Sequence, residues 1–225
     1  MIRRVLAAAA ALVAFATAAA AGCGDPAQRI AIVSDLPGSG AGVPPQESYV
    51  ARLQAARPGD QVAAIARGGA TVRRWILTSR ALTARLRAAR PDVVVLALGG
   101  SDFYLGRLPT MFGAQLVELA GVVRAAVPAA DLVFVHYSEP PARDLGGCDV
   151  GVCLTLGQVA HVGGAPAGSL GGPLVESGVA APWSDYGAAG ALAAARVGAG
   201  YVDVSGVEGH RRYAQALSEA IGASS

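Results

Sequence analysis

The run DVVVLALGG, residues 92–100, constrains this chain most. Its centre is nearly all β-branched or Leu, with no alternation of apolar and polar positions. A strand that reads this way is buried on both faces, and that requires helices on both sides of a sheet. The rest of the chain agrees. IAIV (30–33), QVAAIA (61–66), DLVFVHY (131–137) and YVDVS (201–205) read as further strands. Between them lie the helical patterns PQESYVARLQAA, TVRRWILTSRALTARLRAAR, MFGAQLVELAGVVRAAVP and YGAAGALAAARVGA, and VEGHRRYAQALSEAI closes the chain. Strands alternating with helices predict an α/β fold, a three-layer α/β/α sandwich around a parallel five-stranded sheet. No internal repeat and no second domain is visible. Ligands of such sheets bind at the carboxyl ends of the strands. Function is therefore expected in the loops after Val33, Ala66, Leu98, His136 and Val204. The Gly/Pro-rich stretch 138–182 is long for a compact domain, and is expected to be either a lid over a site or poorly ordered.

The chain is 53% hydrophobic and 15% charged, and its N-terminus accounts for much of that imbalance. MIRR is a short basic segment, VLAAAAALVAFATAAAA is an apolar core, and AAGC ends the run at Cys23. This is the pattern of an export signal over residues 1–22, leaving 23–225 as the mature domain. Its end resembles a bacterial lipobox, in which the Cys becomes the lipidated first residue, although Ala20 stands where Leu is usual. The expectation is a protein at the bacterial cell envelope, lipid-anchored to the membrane through Cys23. A plain signal followed by an incidental Cys would instead give a secreted protein. A membrane-spanning anchor fits less well, because the run is short and Gly22 interrupts it.

Cleavage before Cys23 removes Arg3 and Arg4 from the 18 basic residues, all of them Arg, and leaves a near balance with 16 acids. No basic surface for nucleic acid is implied. Cys148 and Cys153, in GGCDVGVC, remain after export into an oxidising compartment. A small disulfide loop is the expected outcome. A metal site is weakly supported, because no second cysteine pair exists, and a free buried pair is the third reading.

The loops resemble those of the SGNH, or GDSL, hydrolase family over nearly the whole mature chain. That family opens with strand-G-D-S-(L/I)-T-x-G, often followed by a stretch like VPPEESYPALL. VSDLPGSGAGVPPQESYVARL aligns with it without a gap. Ser34 takes the Gly place, Asp35 matches the Asp, Leu36 falls on the nucleophilic Ser, and Gly40 matches the later Gly. The second family block, N-x-G-x-S-G-A-T, corresponds to AIARGGAT, with Gly69 on the oxyanion-hole glycine. The third, G-G-N-D, corresponds to LALGGSD, with Ser101 for the Asn and Asp102 on the Asp. The last block is D-x-x-H-P before a helix that often starts G-H-R. Counting back from Gly209 without a gap puts Tyr201 on the Asp and Val204 on the His. A short deletion puts Asp203 on the Asp and Gly206 on the His. Neither register supplies the catalytic His. The resemblance implies a flavodoxin-like SGNH fold and ester hydrolysis, with no cofactor and no metal.

Acyl transfer of this kind needs a nucleophilic oxygen, a base and oxyanion donors. Leu36 cannot attack a carbonyl. Losing the nucleophile or its base costs on the order of 10⁶ in kcat, against roughly 10²–10³ for an oxyanion donor. The expectation is a catalytically degenerate member that binds an acyl, glycan or protein ligand in a cleft around Asp35, Gly69, Ser101 and Asp102. The alternative is an active serine esterase with a rearranged site, using Ser34 or Ser39 with His161. A third reading is a structural envelope protein with a filled cleft. A turn Ser bonded to nearby backbone is the plainer role for Ser34. His136 and His210 are expected as structural or solvated residues, and Asp35 and Asp102 as braces of the loops. Tyr104, Trp183 and Tyr186 are expected either to line a pocket or to fill space under the long loop.

Overall fold

The computed structural model describes residues 27–35, 44–137, 181–205 and 209–223. In chain order its elements are β1 (Arg29–Ser34), a 3-10 turn (Pro45–Glu47), α1 (Tyr49–Ala56), β2 (Gln61–Ala66), α2 (Val72–Leu77), α3 (Ser79–Ala89) and β3 (Val93–Ala97). They continue with α4 (Gly100–Tyr104), α5 (Pro109–Ala126), β4 (Asp131–His136), α6 (Trp183–Val197), β5 (Gly200–Asp203) and α7 (Gly209–Ala223).

The strands form one parallel five-stranded sheet in the order β2-β1-β3-β4-β5. β1 and β3 are neighbours, with Ile32 opposite Val95. Every residue from Val93 to Leu98 is buried, which is why this segment carries no polar alternation. α1 packs with α7, while α2, α3 and α6 pack on α5, so helices cover both faces. Strand order reverses between β1 and β3, and such a switch point leaves a crevice at the strands' carboxyl ends.

Two elements depart from expectation. TVRRWILTSRALTARLRAAR, read as one helix, is divided at Thr78 into α2 and α3. The Thr78 hydroxyl donates to the Arg74 carbonyl at 2.8 Å, as does its N–H at 3.1 Å. This local side-chain bond competes with helix continuation. α4 is a single short turn inside GGSDFY that no periodicity announces. α5 starts with Pro109 in its first turn, where the missing N–H costs nothing.

Candidate functional site

The site is built where β1 and β3 end side by side. Ser34 closes β1 and is buried, and its carbonyl accepts the Arg67 N–H at 3.0 Å. Asp35 follows and is fully buried. Its Oδ2 accepts the N–H groups of Gly99 at 3.2 Å and Ser101 at 3.0 Å, and its Oδ1 accepts the Tyr137 hydroxyl at 3.0 Å. The Tyr137 oxygen accepts the Gly100 N–H at 2.5 Å. Three successive backbone donors of the GGSD loop are thus held by one carboxylate and one phenol. Trp183 Nε1 fixes Tyr137 in turn, donating to its carbonyl at 2.7 Å. Gly99 is required here: its φ is +126°, and a Cβ would lie 3.1 Å from the Phe112 ring.

Gly69 lies in the turn after β2 with φ +72°, the left-handed region that suits glycine. Thr71 caps α2 through the Arg74 N–H, and the next donor, the Val72 N–H, meets Asp102 Oδ2 at 3.0 Å. Asp102 therefore joins the second and third motif loops. Burial pushes its carboxyl up to about 7, and the nearby Asp35 charge adds to the rise against the opposing Val72 N–H. Its Oδ1 and the Ser101 Oγ are both buried and, among the described residues, have no hydrogen-bond partner. Burial and the Asp35 charge also raise Tyr137 and Tyr213 well above the ordinary phenol value.

The β4–β5 side of the rim is built differently. Tyr201 lies within β5, and its hydroxyl donates to the Gly187 carbonyl at 2.9 Å. Val204 is buried, and its N–H donates to the His136 carbonyl at 2.8 Å. His136 pairs in register with Asp203 across β4 and β5. Its ring stacks on Trp183 with centroids 4.7 Å apart and abuts Gly187, where a Cβ would fall 2.7 Å away. Burial lowers the His136 pKa, with the Asp203 charge opposing. Burial works to raise Asp203, but bonds from Ser205 and the nearby His136 outweigh it and hold Asp203 low.

The structure brings Ser34, Asp35, Ser101, Asp102 and Gly69 to the β2–β1–β3 end of the rim. It does not bring His136 to Ser34: their strands are two places apart, about 10 Å at ordinary strand spacing. His210 departs from the expected solvated face. It is half-buried, and its Nδ1 accepts the Tyr49 N–H at 3.1 Å, capping α1 beside Ser48. Trp183 and Tyr186 are buried in an aromatic cluster with Phe103 and Phe112. Leu36, Ser39, Gly40, His161, Gly206, Cys23, Cys148 and Cys153 lie outside the described residues. Sequence reasoning passed over Tyr137. Its only signal is its position, one residue beyond a strand on the carboxyl rim. Among the described residues, no group of His, Cys, Asp and Glu is arranged to hold a metal ion, and no helix is long and apolar enough to cross a membrane.

A doubly covered parallel sheet, a Ser34–Asp35 turn locked to a GGSD loop and a glycine turn after β2 define the class as an SGNH-type hydrolase fold. The chain belongs to the GDSL-like lipase/acylhydrolase family, whose model matches residues 18–221. Among solved structures it is similar to TesA at 16% identity and TM-score 0.55, covering 86% of this chain and 96% of that one. It is similar to the psychrotrophic esterase EstA from Pseudoalteromonas sp. at 14% identity and TM-score 0.55, covering 87% and 94%. A salicylyl-acyltransferase from a tetracycline biosynthetic pathway matches at 16% identity and TM-score 0.55, covering 89% of this chain and 56% of that one. At these identities the likeness is one of fold. No curated protein matches the chain.

Proposed function

We propose that this chain is an exported, lipid-anchored envelope protein whose GDSL domain no longer hydrolyses esters and binds an acyl, glycan or protein ligand at its strand-end cleft. The observation that carries the reading is Val204. In the ungapped register it takes the place of the catalytic His, and it is a buried apolar residue tied by its N–H to the neighbouring strand. The gapped register offers Gly206, and the nucleophile position holds Leu36 in either case. Loss of the nucleophile or its base costs on the order of 10⁶ in kcat.

A binding role, rather than a purely structural one, is supported by the Ser101 Oγ and Asp102 Oδ1. Both are buried and have no hydrogen-bond partner among the described residues, at the end of the sheet where this fold takes ligands. A buried polar atom left unpaired costs about 1–3 kcal/mol, which a ligand group offsets when it arrives. The export and anchor parts of the reading are supported by the basic, apolar and small-residue segments that end at Cys23.

The test is hydrolysis of short p-nitrophenyl esters by the mature domain, alongside the Leu36→Ser variant. Both are expected at background, because a restored nucleophile still lacks its base. Turnover by the unmodified protein that survives repeated purification and disappears on Ser34→Ala or Ser39→Ala would overturn the reading in favour of a relocated nucleophile.

A further inference from the structure

We propose that the lipid on Cys23 holds the amino-terminal rim of the sheet against the bilayer and points the strand-end cleft away from it. The cleft then takes a ligand from the aqueous or wall side, not an acyl chain of the anchoring bilayer. This rests on the anchor reading above and narrows the ligand class.

The reach of the tether sets the orientation. Chain order fixes the entry point, because β1 begins at Arg29 on the rim opposite the cleft. Gln28 is already bound to that rim. Its N–H donates to Asp60 Oδ1 at 2.8 Å, its carbonyl accepts the Gln61 N–H at 2.8 Å, and its side-chain oxygen accepts from Arg57 at 3.0 Å. From Cys23 to Gln28 the chain can extend no more than about 17 Å, at roughly 3.4 Å per residue. α5 runs from Pro109 near the cleft end to Ala126 near the anchored end. Its 18 residues measure about 27 Å at 1.5 Å each. The tether is therefore shorter than the domain is tall, and the cleft end cannot be drawn down to the membrane that holds the lipid.

Charge permits this orientation without selecting it. Exposed arginines at the anchored end, Arg90, Arg124 and Arg196, suit anionic headgroups, but Arg67 and Arg107 are exposed at the cleft end as well. The tether makes the choice. β1 is the second strand from one edge of the sheet, so the attachment lies inside the rim rather than at a corner.

The experiment uses the full lipidated chain in vesicles of phosphatidylglycerol and phosphatidylcholine carrying a headgroup energy acceptor. Donor dyes are placed at Ala129→Cys, on the anchored end, and at Arg67→Cys, on the cleft end, each with Cys148→Ser and Cys153→Ser. Transfer from position 129 is expected to exceed that from position 67 several-fold. Equal or reversed transfer overturns the orientation. Hydrogen exchange of the unmodified chain, on vesicles against detergent, reads the same faces without substitution. The turns at 57–60 and 128–130 should slow, while those at 67–70 and 105–107 should not; the opposite pattern overturns the proposal. Mass analysis of the mature N-terminus separates the two failures. An unlipidated Cys23 removes the anchor reading and the orientation together, whereas a lipidated chain lying cleft-down removes the orientation alone.

Discussion

At one end of the strand-end rim, β1 and β3 deliver a buried carboxylate that holds two N–H groups of the GGSD loop and the Tyr137 hydroxyl. At the other end, β4 and β5 deliver a valine, a tyrosine bonded to a helix carbonyl, and a histidine wedged between Trp183 and Gly187. The first end keeps the residues that brace a GDSL site. In either register, the second lacks the histidine that runs its chemistry. The family's acids at the first end are therefore tied to the fold itself: Asp35 joins β1 to the loop after β3, and Asp102 joins that loop to α2. On the proposed reading, a chain without catalysis still needs those bonds to close its loops, whereas it can fill the β4–β5 end with packed side chains.

The strongest way to break this comparison is Asp35→Ala. It strands the Gly99 and Ser101 N–H groups and the Tyr137 hydroxyl in a buried site, and each buried donor left unpaired costs about 1–3 kcal/mol, so the loss should reach several kcal/mol. Denaturant unfolding of the variant should show a loss of that size. A loss under about 1 kcal/mol would mean the turn is not braced through Asp35.

Asp102 sharpens the same end through pH. Its folded carboxyl is raised to about 7 by burial, above its unfolded value. The folded state thus holds a proton that the unfolded state has released, and stability falls as pH rises from about 4 towards 7. A shift of this size corresponds to a few kcal/mol across that window. Asp102→Asn keeps an acceptor for the Val72 N–H and removes this titration, so the fall should vanish and leave the opposite trend of His136 and His210, whose lowered pKa values make stability rise with pH in the same range. A variant with the parent's slope would place the titrating group elsewhere.

The two ends also differ in how far they could be read in advance. The sheet was legible because its central strand is apolar on both faces, and IAIV and DVVVLALGG pair in parallel within it. Asp35, Gly69, Ser101 and Asp102 were legible through their resemblance to the motif blocks of the GDSL family. Tyr137 was not, since its hydroxyl reaches Asp35 across 102 positions of sequence and only the fold brings them together. The His136 packing against Gly187 was hidden for the same reason, and the break at Thr78 because one side-chain bond outweighs a good helical period.

Gly187→Ala tests the filled end. The added methyl would fall 2.7 Å from the His136 ring, which Trp183 holds on its stacked side at 4.7 Å between centroids. Overpacking of this sort costs typically about 1–3 kcal/mol. The expected result is a lower melting temperature that His136→Ala partly restores by making room. Additive losses in the double variant would show that the ring and the helix do not press on each other.

The smallest effect expected is at Tyr201, the residue that the ungapped register sets on the catalytic acid. Its hydroxyl donates to the Gly187 carbonyl at 2.9 Å from a half-buried side chain, and burial raises its pKa to about 12. It therefore stays neutral at ordinary pH and acts as a strut between β5 and α6. Tyr201→Phe removes one hydrogen bond and keeps the ring, so it should cost about 0.5–1.5 kcal/mol. Tyr201→Asp restores the family's residue type at that register but puts a carboxylate where a neutral donor met a carbonyl. It should destabilise more than Phe and yield no ester turnover, because Val204 still occupies the place of the base. A Tyr201→Asp variant as stable as the parent would show that this end of the rim remains open to a charged side chain, and the contrast with the braced end would then lie in sequence alone.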